Sequence, residues 1–346
     1  MATLHDVAKR AGVSPMTVSR VVNGSGEVSP RLRARVDQAL AETGYMPNTL
    51  ARSLRARRTD TLALVLPDMT NPFFTTVAQG VETAAREAGF SLLLANSDER
   101  EEEELRLVSM LLQRQVDGLL VVPAGGGGDV IHFCQDRNVR VVVVDRRPQV
   151  PGADVVRSDA EGGARELGRL LVGLGHREMT VLSGPASVLT AVDRATGFTA
   201  ALEEAGVPAP RVIHGAFTID SGHEMAIRAV RELPRPTALF AANNFIAIGV
   251  LHALDEIGLR VPEDVAVVGL DDLPQAMVTF PFLTVASQPA VEMGKQSVAM
   301  LLDGLANPNR APREVILPTE IVIRRSSGGH VGSAAARNEM AASAPG

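Results

Sequence analysis

Apolar residues follow two different patterns on either side of residue 59. Before it they recur every three or four positions, whereas after it short continuous apolar runs alternate with longer amphipathic stretches. The runs are TLALVLPD, FSLLLANS, DGLLVVPA, RVVVVDR, MTVLSGP, TALFAANN and VAVVGLDD. Such runs are typical of buried parallel strands, and stretches such as FTTVAQGVETAAREAG and EEEELRLVSMLLQRQ are typical of helices. The larger part of the chain is therefore predicted to form parallel sheets with helices on both faces.

The length of this part indicates more than one sheet. About 270 residues exceed the usual size of one such sheet, so two α/β lobes are expected. In open parallel sheets, ligands bind outside the carboxyl ends of the strands. A ligand site is therefore expected where polar residues follow the apolar runs.

The first 58 residues predict three short helices. Thr3 and Asp6 have the spacing of a capping box, and Ser-Pro pairs at 14–15 and 29–30 are two further start signals. Gly44 provides a stop after the third helix. Three short helices with a tight turn between the first two describe a helix-turn-helix unit, although a small helical cap without a DNA role fits the same periodicity.

Charge and composition narrow the class of protein. The formal net charge is −6, but residues 1–58 carry ten Lys/Arg and four Asp/Glu, a net of +6, against −12 for the remainder. A basic head on an acidic body points to a polyanionic partner for the head. The single cysteine, Cys134, suits a reducing cytoplasm, and neither a signal peptide nor a run of eighteen apolar residues is present. A cytoplasmic protein is expected.

Two segments carry a family resemblance. TLHDVAKRAGVSPMTVSRVVNG, followed by VSPRLRARVDQALAETGYMPNTLARSL, closely resembles the DNA-binding head of the lactose/galactose repressor family of bacterial transcription factors, and the resemblance continues to about residue 326. It implies an N-terminal all-α helix-turn-helix head and an α/β core of the periplasmic-binding-protein type I fold, with two parallel-sheet lobes. The implied function is an effector-controlled transcriptional regulator, and most simply a repressor.

The resemblance also implies domain boundaries. A helix-turn-helix domain is expected over 1–46, a hinge helix and linker over 47–59, and an effector-binding core over 60–326. The expected N-terminal lobe covers about 60–158 and 290–317, and the expected C-terminal lobe about 159–286 and 318–326. The tail, 327–346, consists of small and polar residues and is expected to be disordered.

The second helix of the head is the expected reader of DNA. The resemblance implies that it enters the major groove with Pro15, Met16 and Arg20 at the positions that contact bases. Arg20 can form a bidentate contact with guanine, whereas Met16 offers only apolar contact. Many relatives carry polar residues at the first two of these positions. Residues placed to contact phosphates are Thr3, Ser14, Thr17, Ser19 and Asn23, although helix capping is an equal alternative for the first two.

The stretch PNTLARSLRARR, residues 47–58, matches the hinge helix of the family. The resemblance implies that paired hinge helices enter the minor groove and that Leu54 from each subunit wedges a base step. Asn48, Arg52 and Arg55 are expected to accompany it on the DNA. Leu54→Ala is expected to weaken specific binding more than nonspecific binding.

Polar and aromatic residues after the strands match the effector contacts of the family. The resemblance assigns these contacts to Asn71, Phe73, Phe74, Asp145, Arg146, Thr190, Arg194, Phe217, Asn243 and Asp271. Of the two neighbouring phenylalanines, one ring is expected to face the ligand and one to lie in the core. A neutral polyol suits these donors and acceptors, and a nucleobase fits as well. Relatives usually have Asp where this chain has Asn244, which alters either a ligand contact or a helix cap.

Alternative functions find less support in the sequence. No catalytic constellation, metal-ligand spacing or nucleotide loop emerges, so neither an enzyme nor a cofactor or metal is expected. An exported sugar-binding transport protein fits the core but not the basic head. A homodimer on a pseudo-palindromic operator with a small effector, most simply a sugar, is the leading hypothesis. A nucleoside-responsive repressor and a catabolite regulator with a phosphocarrier partner are alternatives within it.

Overall fold

The computed structural model describes residues 2–23, 27–45, 59–273 and 280–328. The chain divides into two compact units between Thr59 and Asp60, called here the head and the core. No helix in the described ranges is both long and apolar enough to span a membrane.

The head contains the three predicted helices, α1 (Leu4–Ala11), α2 (Pro15–Asn23) and α3 (Pro30–Thr43). The capping box is present, since the Thr3 amide donates to Asp6 Oδ2 at 2.8 Å and the Asp6 amide donates to Thr3 Oγ1 at 3.3 Å. The Ser29 side chain, in contrast, makes no capping hydrogen bond. The buried residues that join the three helices are Val7, Ala8, Ala11, Val18, Val21, Val36 and Ala39.

The core contains two twisted sheets, each with six described strands. The first, in the order β11-β5-β4-β3-β1-β2, is built from β1 (Thr61–Leu66), β2 (Ser91–Asn96), β3 (Gly118–Val121), β4 (Val141–Val144), β5 (Asp154–Ser158) and β11 (Glu314–Leu317). The second, in the order β12-β10-β9-β8-β6-β7, is built from β6 (Met179–Ser183), β7 (Arg211–His214), β8 (Ala238–Ala241), β9 (Ala266–Leu270), β10 (Thr284–Ser287) and β12 (Glu320–Val322).

Helices cover both sheets. They are α4 (Pro72–Glu87), α5 (Glu101–Gln113), α6 (Gly128–Gln135), α7 (Ala160–Gly173), α8 (Leu189–Glu204), α9 (Ile219–Arg231), α10 (Asn244–Glu256) and α11 (Ala290–Ala306). We call the first sheet with α4, α5, α6 and α11 the N-lobe, and the second sheet with α7, α8, α9 and α10 the C-lobe. The chain passes between the lobes at three places, around residues 159, 288–289 and 318–319.

Alternate residues of a buried strand supply two separate cores. In β1, the side chains of Leu62, Leu64 and Leu66 pack with α4 and α11, whereas those of Ala63 and Val65 pack with α5 and α6. Because both faces are covered, the strand reads as one continuous apolar run instead of alternating. The predicted α/β architecture is confirmed. One strand departs from a purely parallel arrangement, since β12 pairs with β10 antiparallel.

The ordered core extends slightly beyond the boundary expected for the tail. Ser326 and Ser327 lie in a short 3₁₀ helix and are fully buried. Ser326 Oγ donates to the Val267 carbonyl at 2.6 Å, and the hydroxyls of Ser327 and Thr284 are hydrogen-bonded at 2.9 Å. These hydrogen bonds correct the expected start of the tail at 327. Residues 329–346 lie outside the described ranges.

Candidate ligand cleft and DNA-contacting helix

A cavity lies between the two lobes at the carboxyl ends of their strands. All ten residues that the sequence assigned to an effector line it: Asn71, Phe73, Phe74, Asp145, Arg146, Thr190, Arg194, Phe217, Asn243 and Asp271. Asp68 and Glu99 also line the cavity, and the sequence had not singled them out. The topology therefore brings together residues that are far apart in the sequence, up to the 203 positions between Asp68 and Asp271.

The two lobes each place one aspartate at the cavity by the same device. Asp145 directly follows β4 and Asp271 directly follows β9, with φ values of 66° and 72°. Each amide still donates to the neighbouring strand, to Val156 O at 2.9 Å and to Ala286 O at 3.1 Å. Aspartate tolerates this left-handed conformation better than most residues. The sharp turn ends the strand and leaves the carboxylate at the cleft.

Two asparagines join the lobes inside the cleft. Asn71 Nδ2 donates to Asn244 Oδ1 at 3.0 Å, and Asn244 Nδ2 donates to Asn71 Oδ1 at 2.9 Å. Asn71 also caps α4, because its side-chain oxygen accepts from the Phe73 amide at 3.0 Å. Asn243 caps α10 in the same way, by accepting from the Ile246 amide at 2.8 Å. The departure at Asn244 thus changes a contact between the lobes, since an aspartate there could not donate to Asn71.

Aromatic rings form two sides of the cavity. Phe73 and Phe74 are both buried and meet edge to face, with ring centroids 5.2 Å apart. Both rings line the cavity and also belong to the N-lobe core, so the expected division into one ligand-facing ring and one core ring stays a prediction. Phe217 approaches from the C-lobe and packs on Gly184, where a Cβ atom would lie 2.1 Å from the ring. Glycine at 184 therefore leaves the space that this ring occupies.

The Arg146 guanidinium lies between the aromatic rings of the two lobes. Its central carbon is 5.9 Å from the Phe74 centroid and 5.7 Å from the Phe217 centroid. Its terminal nitrogens donate to the two carboxylate oxygens of Glu99 at 2.7 and 2.6 Å. Nη1 also donates to the Pro123 carbonyl at 2.7 Å. Burial alone would lower the pKa of Arg146, but the hydrogen bonds to Glu99 and the charge of Glu99 raise it.

Two buried polar atoms of the cavity lining have no hydrogen-bond partner among the described residues. One is Nε of Arg194, whose Nη1 donates to the Ala242 carbonyl at 2.7 Å. The other is Oδ1 of Asp145. One atom is a donor on the C-lobe and the other is an acceptor on the N-lobe. Buried polar groups in native proteins are almost always satisfied, so this pair marks where a polar ligand is expected to bind.

Burial also perturbs the titration of the cavity carboxylates. It raises the pKa of Asp145 to about 6, with the neighbouring Asp271 acting in the same direction and Arg194 opposing it. Burial raises the pKa of Asp271 as well, against the opposing charge of Arg194 and a hydrogen bond from Gln288. Outside the lining, burial raises the pKa of Glu104 to about 7, although this carboxylate accepts from the Ala124 amide.

The cleft is closed in this conformation. The space between protein atoms amounts to about 380 Å³, but only about 20 Å³ of it would admit a water molecule. A rim ion pair, Arg147 Nη2 to Asp193 Oδ1 at 2.8 Å, also connects the N-lobe to the C-lobe. A ligand of several heavy atoms therefore needs the lobes to separate or the lining side chains to move.

Sequence reasoning missed residues that support the cleft from behind. Gln288 lies on one of the three crossings, donates to Asp271 and accepts from Ser158 Oγ, so it joins the ends of strands from both lobes. Glu99 lies in a loop without any periodicity. Only the folded arrangement shows these contacts, since Glu99 and Arg146 are 47 residues apart.

In the head, the helix predicted to read DNA, α2, is partly exposed to solvent. Met16 is 65% exposed and Arg20 is exposed, whereas Pro15 and Ser19 are half-buried. Ser14 caps α2, since its hydroxyl accepts from the Thr17 amide at 3.2 Å and lies 2.9 Å from Thr17 Oγ1. The Thr3 and Ser14 hydroxyls are thus engaged in capping. The remaining predicted DNA contacts fall at the end of α2 or outside the described ranges: Asn23, which belongs to α2, and Asn48, Arg52, Leu54 and Arg55, which lie outside them.

Comparison with known proteins identifies both units. Residues 3–48 match the family described as "Bacterial regulatory proteins, lacI family", and residues 59–325 match "Periplasmic binding proteins and sugar binding domain of LacI family". The chain is 34% identical over 330 residues to the HTH-type transcriptional repressor PurR of Proteus mirabilis, covering 94% of this chain and 97% of the relative. These relatives are repressors and not enzymes.

Solved structures of similar proteins indicate the same family. The lac repressor dimer bound to operator and the anti-inducer ONPF is 29% identical with a TM-score of 0.85, over 94% of this chain and 99% of that one. A complex of the transcriptional regulator CelR with cellobiose is 34% identical with a TM-score of 0.72, over 94% and 100%. The chain therefore belongs to the lactose/galactose repressor family of DNA-binding transcriptional regulators.

Proposed function

We propose that the protein is a homodimeric repressor whose operator affinity is controlled by a neutral monosaccharide bound between the lobes. The observation that carries the proposal is the pair of unpartnered groups, Arg194 Nε and Asp145 Oδ1, in one cleft. A sugar hydroxyl both accepts and donates a hydrogen bond, so it can satisfy a donor on the C-lobe and an acceptor on the N-lobe. The aromatic rings supply apolar faces for a sugar ring.

The small cavity favours a single sugar ring. The similar regulator CelR is solved with cellobiose, a disaccharide. Only about 20 Å³ of the cavity here would admit a water molecule, which is far below the range for ligand pockets. Since little of that space admits even water, each added ring requires a further opening of the lobes. Among the sugars, a monosaccharide therefore requires the smallest opening of the lobes.

A nucleobase is the second candidate, on a different observation. The planar Arg146 guanidinium already lies between the Phe74 and Phe217 rings. A planar base could take a comparable position between aromatic faces. This arrangement would require the guanidinium to move, whereas the sugar arrangement uses the unpartnered groups as they stand.

Control of DNA binding is proposed to depend on movement of the two lobes about the three crossings between them. The effector changes operator affinity only if it binds more tightly to one relative arrangement of the lobes than to the other. Closure brings together Asn71 with Asn244 and Arg147 with Asp193. A bound sugar adds contacts to both lobes and stabilises the closed state. A fall in operator affinity when the sugar is added would mean that closure releases the operator, and a rise would mean that closure strengthens the complex.

Dimerisation has support in the exposed surface of the core. β2 is an edge strand of its sheet, and Leu93 and Leu94 on it are 36% and 50% exposed. Phe280 is 86% exposed. An edge strand with exposed leucines pairs readily with another chain. We propose that a second copy covers it, which places two α2 helices on the two halves of an operator in the cytoplasm.

On DNA, the proposed contacts of α2 differ in kind. Arg20 is proposed to read guanine, Met16 to touch a thymine methyl, and Pro15, Thr17, Ser19 and Asn23 to contact the groove edge or phosphates. Thr3 and Ser14 are proposed to act mainly as caps. Asn48, Arg52, Leu54 and Arg55 remain proposed minor-groove contacts of the hinge.

A ligand screen tests the effector part of the proposal. Thermal unfolding is measured with D-ribose, D-glucose, D-galactose, cellobiose, adenine and adenosine, followed by calorimetry of any ligand that raises the melting temperature. A rise with a monosaccharide that exceeds the rise with cellobiose is expected. A rise with adenine alone supports the second candidate. If none of the monosaccharides binds, the sugar proposal is wrong.

A further inference from the structure

Arg146 is of a residue type that binds anions, but its hydrogen-bond donors are already occupied by other groups of the protein. A buried guanidinium in a cleft is well suited to bind a phosphate or carboxylate in bidentate geometry. Here Arg146 is 4% exposed, and both of its terminal nitrogens donate to Glu99 at 2.7 and 2.6 Å. Nη1 also donates to the carbonyls of Pro123 and Ala124 at 2.7 and 3.2 Å. The chain itself therefore supplies the carboxylate that an anionic ligand would otherwise provide.

The rest of the lining adds to this effect. Among the residues that line the cavity, four carboxylates (Asp68, Glu99, Asp145 and Asp271) face two guanidiniums (Arg146 and Arg194), which gives a formal charge of −2. Arg194 is the second guanidinium, and its charge opposes the rise in the pKa values of Asp145 and Asp271. Protonation of one aspartate still leaves a net negative lining. A buried anion would thus meet a net negative lining, in which Arg194 is the one guanidinium that forms no ion pair with a carboxylate of the described residues.

The backbone at Glu99 indicates that its position is specifically maintained. Asp98 and Glu99 have φ values of 52° and 55°, a conformation that is uncommon for residues other than glycine. The turn is held by the Glu99 amide, which donates to the Pro67 carbonyl at 2.9 Å, and by Asn96, which accepts from the Met69 amide at 2.8 Å. Strained backbone at a ligand site is a recurrent sign of a functional constraint.

We infer that Glu99 is a specificity-determining residue that makes the cleft reject anionic effectors, such as sugar phosphates and sugar acids, and accept neutral polyols. Glu99 does so by accepting hydrogen bonds from both terminal nitrogens of the Arg146 guanidinium and by adding one negative charge to the lining. The inference rests on the proposed function of the cleft as an effector site, and it adds the charge of the ligand to that proposal.

The wild-type protein provides the first test. Calorimetry compares D-ribose with D-ribose 5-phosphate and D-glucose with D-glucose 6-phosphate at pH 7.5. The neutral member of at least one pair is expected to bind, and its phosphate ester to bind at least about 100-fold more weakly. A phosphate ester that binds within about threefold of its neutral sugar, or more tightly, overturns the inference while leaving the cleft as an effector site.

A charge-neutral variant provides the second test, and it does not depend on which sugar binds. Inorganic phosphate is titrated into the wild-type protein, Glu99→Gln and the control Glu82→Gln. The control removes the same charge from an exposed pair, in which Arg86 Nε donates to Glu82 at 3.0 Å. Glu99→Gln is expected to bind inorganic phosphate at least about tenfold more tightly than the wild type, and the control is expected to match the wild type.

The outcomes separate the two proposals. No gain of phosphate affinity in a folded Glu99→Gln protein, or an equal gain in Glu82→Gln, overturns the role of Glu99. If no neutral sugar binds to the wild type but Glu99→Gln gains phosphate affinity, the sugar proposal fails and the charge selectivity of the cleft stands. If Glu99→Gln does not fold, the comparison of sugars with their phosphates in the wild type decides alone.

Discussion

The two walls of the cleft use arginine in opposite ways. On the N-lobe wall, Arg146 donates to Glu99 and to backbone carbonyls, so its role is to stabilise the structure of this wall. On the C-lobe wall, Arg194 makes one hydrogen bond to Ala242 and keeps an unpartnered Nε among the described residues. The open acceptor, Asp145, belongs to the N-lobe. A ligand that satisfies both must bridge the lobes, which couples binding to closure.

The largest effect is expected from replacing the open arginine. Arg194→Met should reduce effector affinity by about 100-fold or more, since it removes the buried donor and the positive charge that acts on Asp145 and Asp271. Arg146→Met should instead lower the melting temperature further than Arg194→Met does, because it leaves the Glu99 carboxylate and two carbonyls without their donor. Calorimetry and thermal unfolding of both variants measure the two effects. A larger loss of stability in Arg194→Met would contradict the division of roles.

A smaller effect is expected from the amide pair that joins the walls. Asn244→Ala removes two hydrogen bonds between the lobes, each worth about 1 kcal/mol, so effector affinity should fall by up to about 30-fold. Asn307→Ala, which changes an exposed asparagine after α11, is the matched control. Calorimetry of both variants with the same sugar makes the comparison. Unchanged affinity in Asn244→Ala would show that the pair does not contribute to closure.

The smallest effect is expected from pH. With the pKa of Asp145 near 6, this carboxylate is almost fully ionised at pH 7.5 and about one quarter ionised at pH 5.5. Protonation removes an acceptor, so affinity for a sugar should fall about fourfold as the pH is lowered over that range. Asp145→Asn should bind more weakly throughout and lose this dependence. Burial also raises the pKa values of Asp271 and Glu104, so the same pH dependence in Asp145→Asn would contradict the role of Asp145 and assign the dependence to one of these two carboxylates.

The sequence predicted the strands that carry a continuous apolar run, including the exposed edge strand β2, better than the short strands that carry charged residues. The seven apolar runs correspond to β1, β2, β3, β4, β6, β8 and β9. The strands that were not singled out, such as β5 (DVVRS) and β7 (RVIH), are short and carry charged residues, so they lack a continuous apolar signal. Residues of the cleft wall were assigned by the family resemblance, and two of them, Asp145 and Asp271, directly follow buried strands. Glu99 was not, since a loop carboxylate has no pattern that predicts its partner.

The central claim is that a sugar in the cleft controls the affinity of the head for DNA. The most direct measurement is fluorescence anisotropy of a palindromic DNA from upstream of the gene, titrated with the wild type and with Arg194→Met, with and without the sugar found in the ligand screen. We predict that the sugar changes the operator Kd of the wild type by about tenfold or more and leaves that of Arg194→Met unchanged. An operator Kd that the sugar does not alter in the wild type, or alters equally in both proteins, would contradict the account.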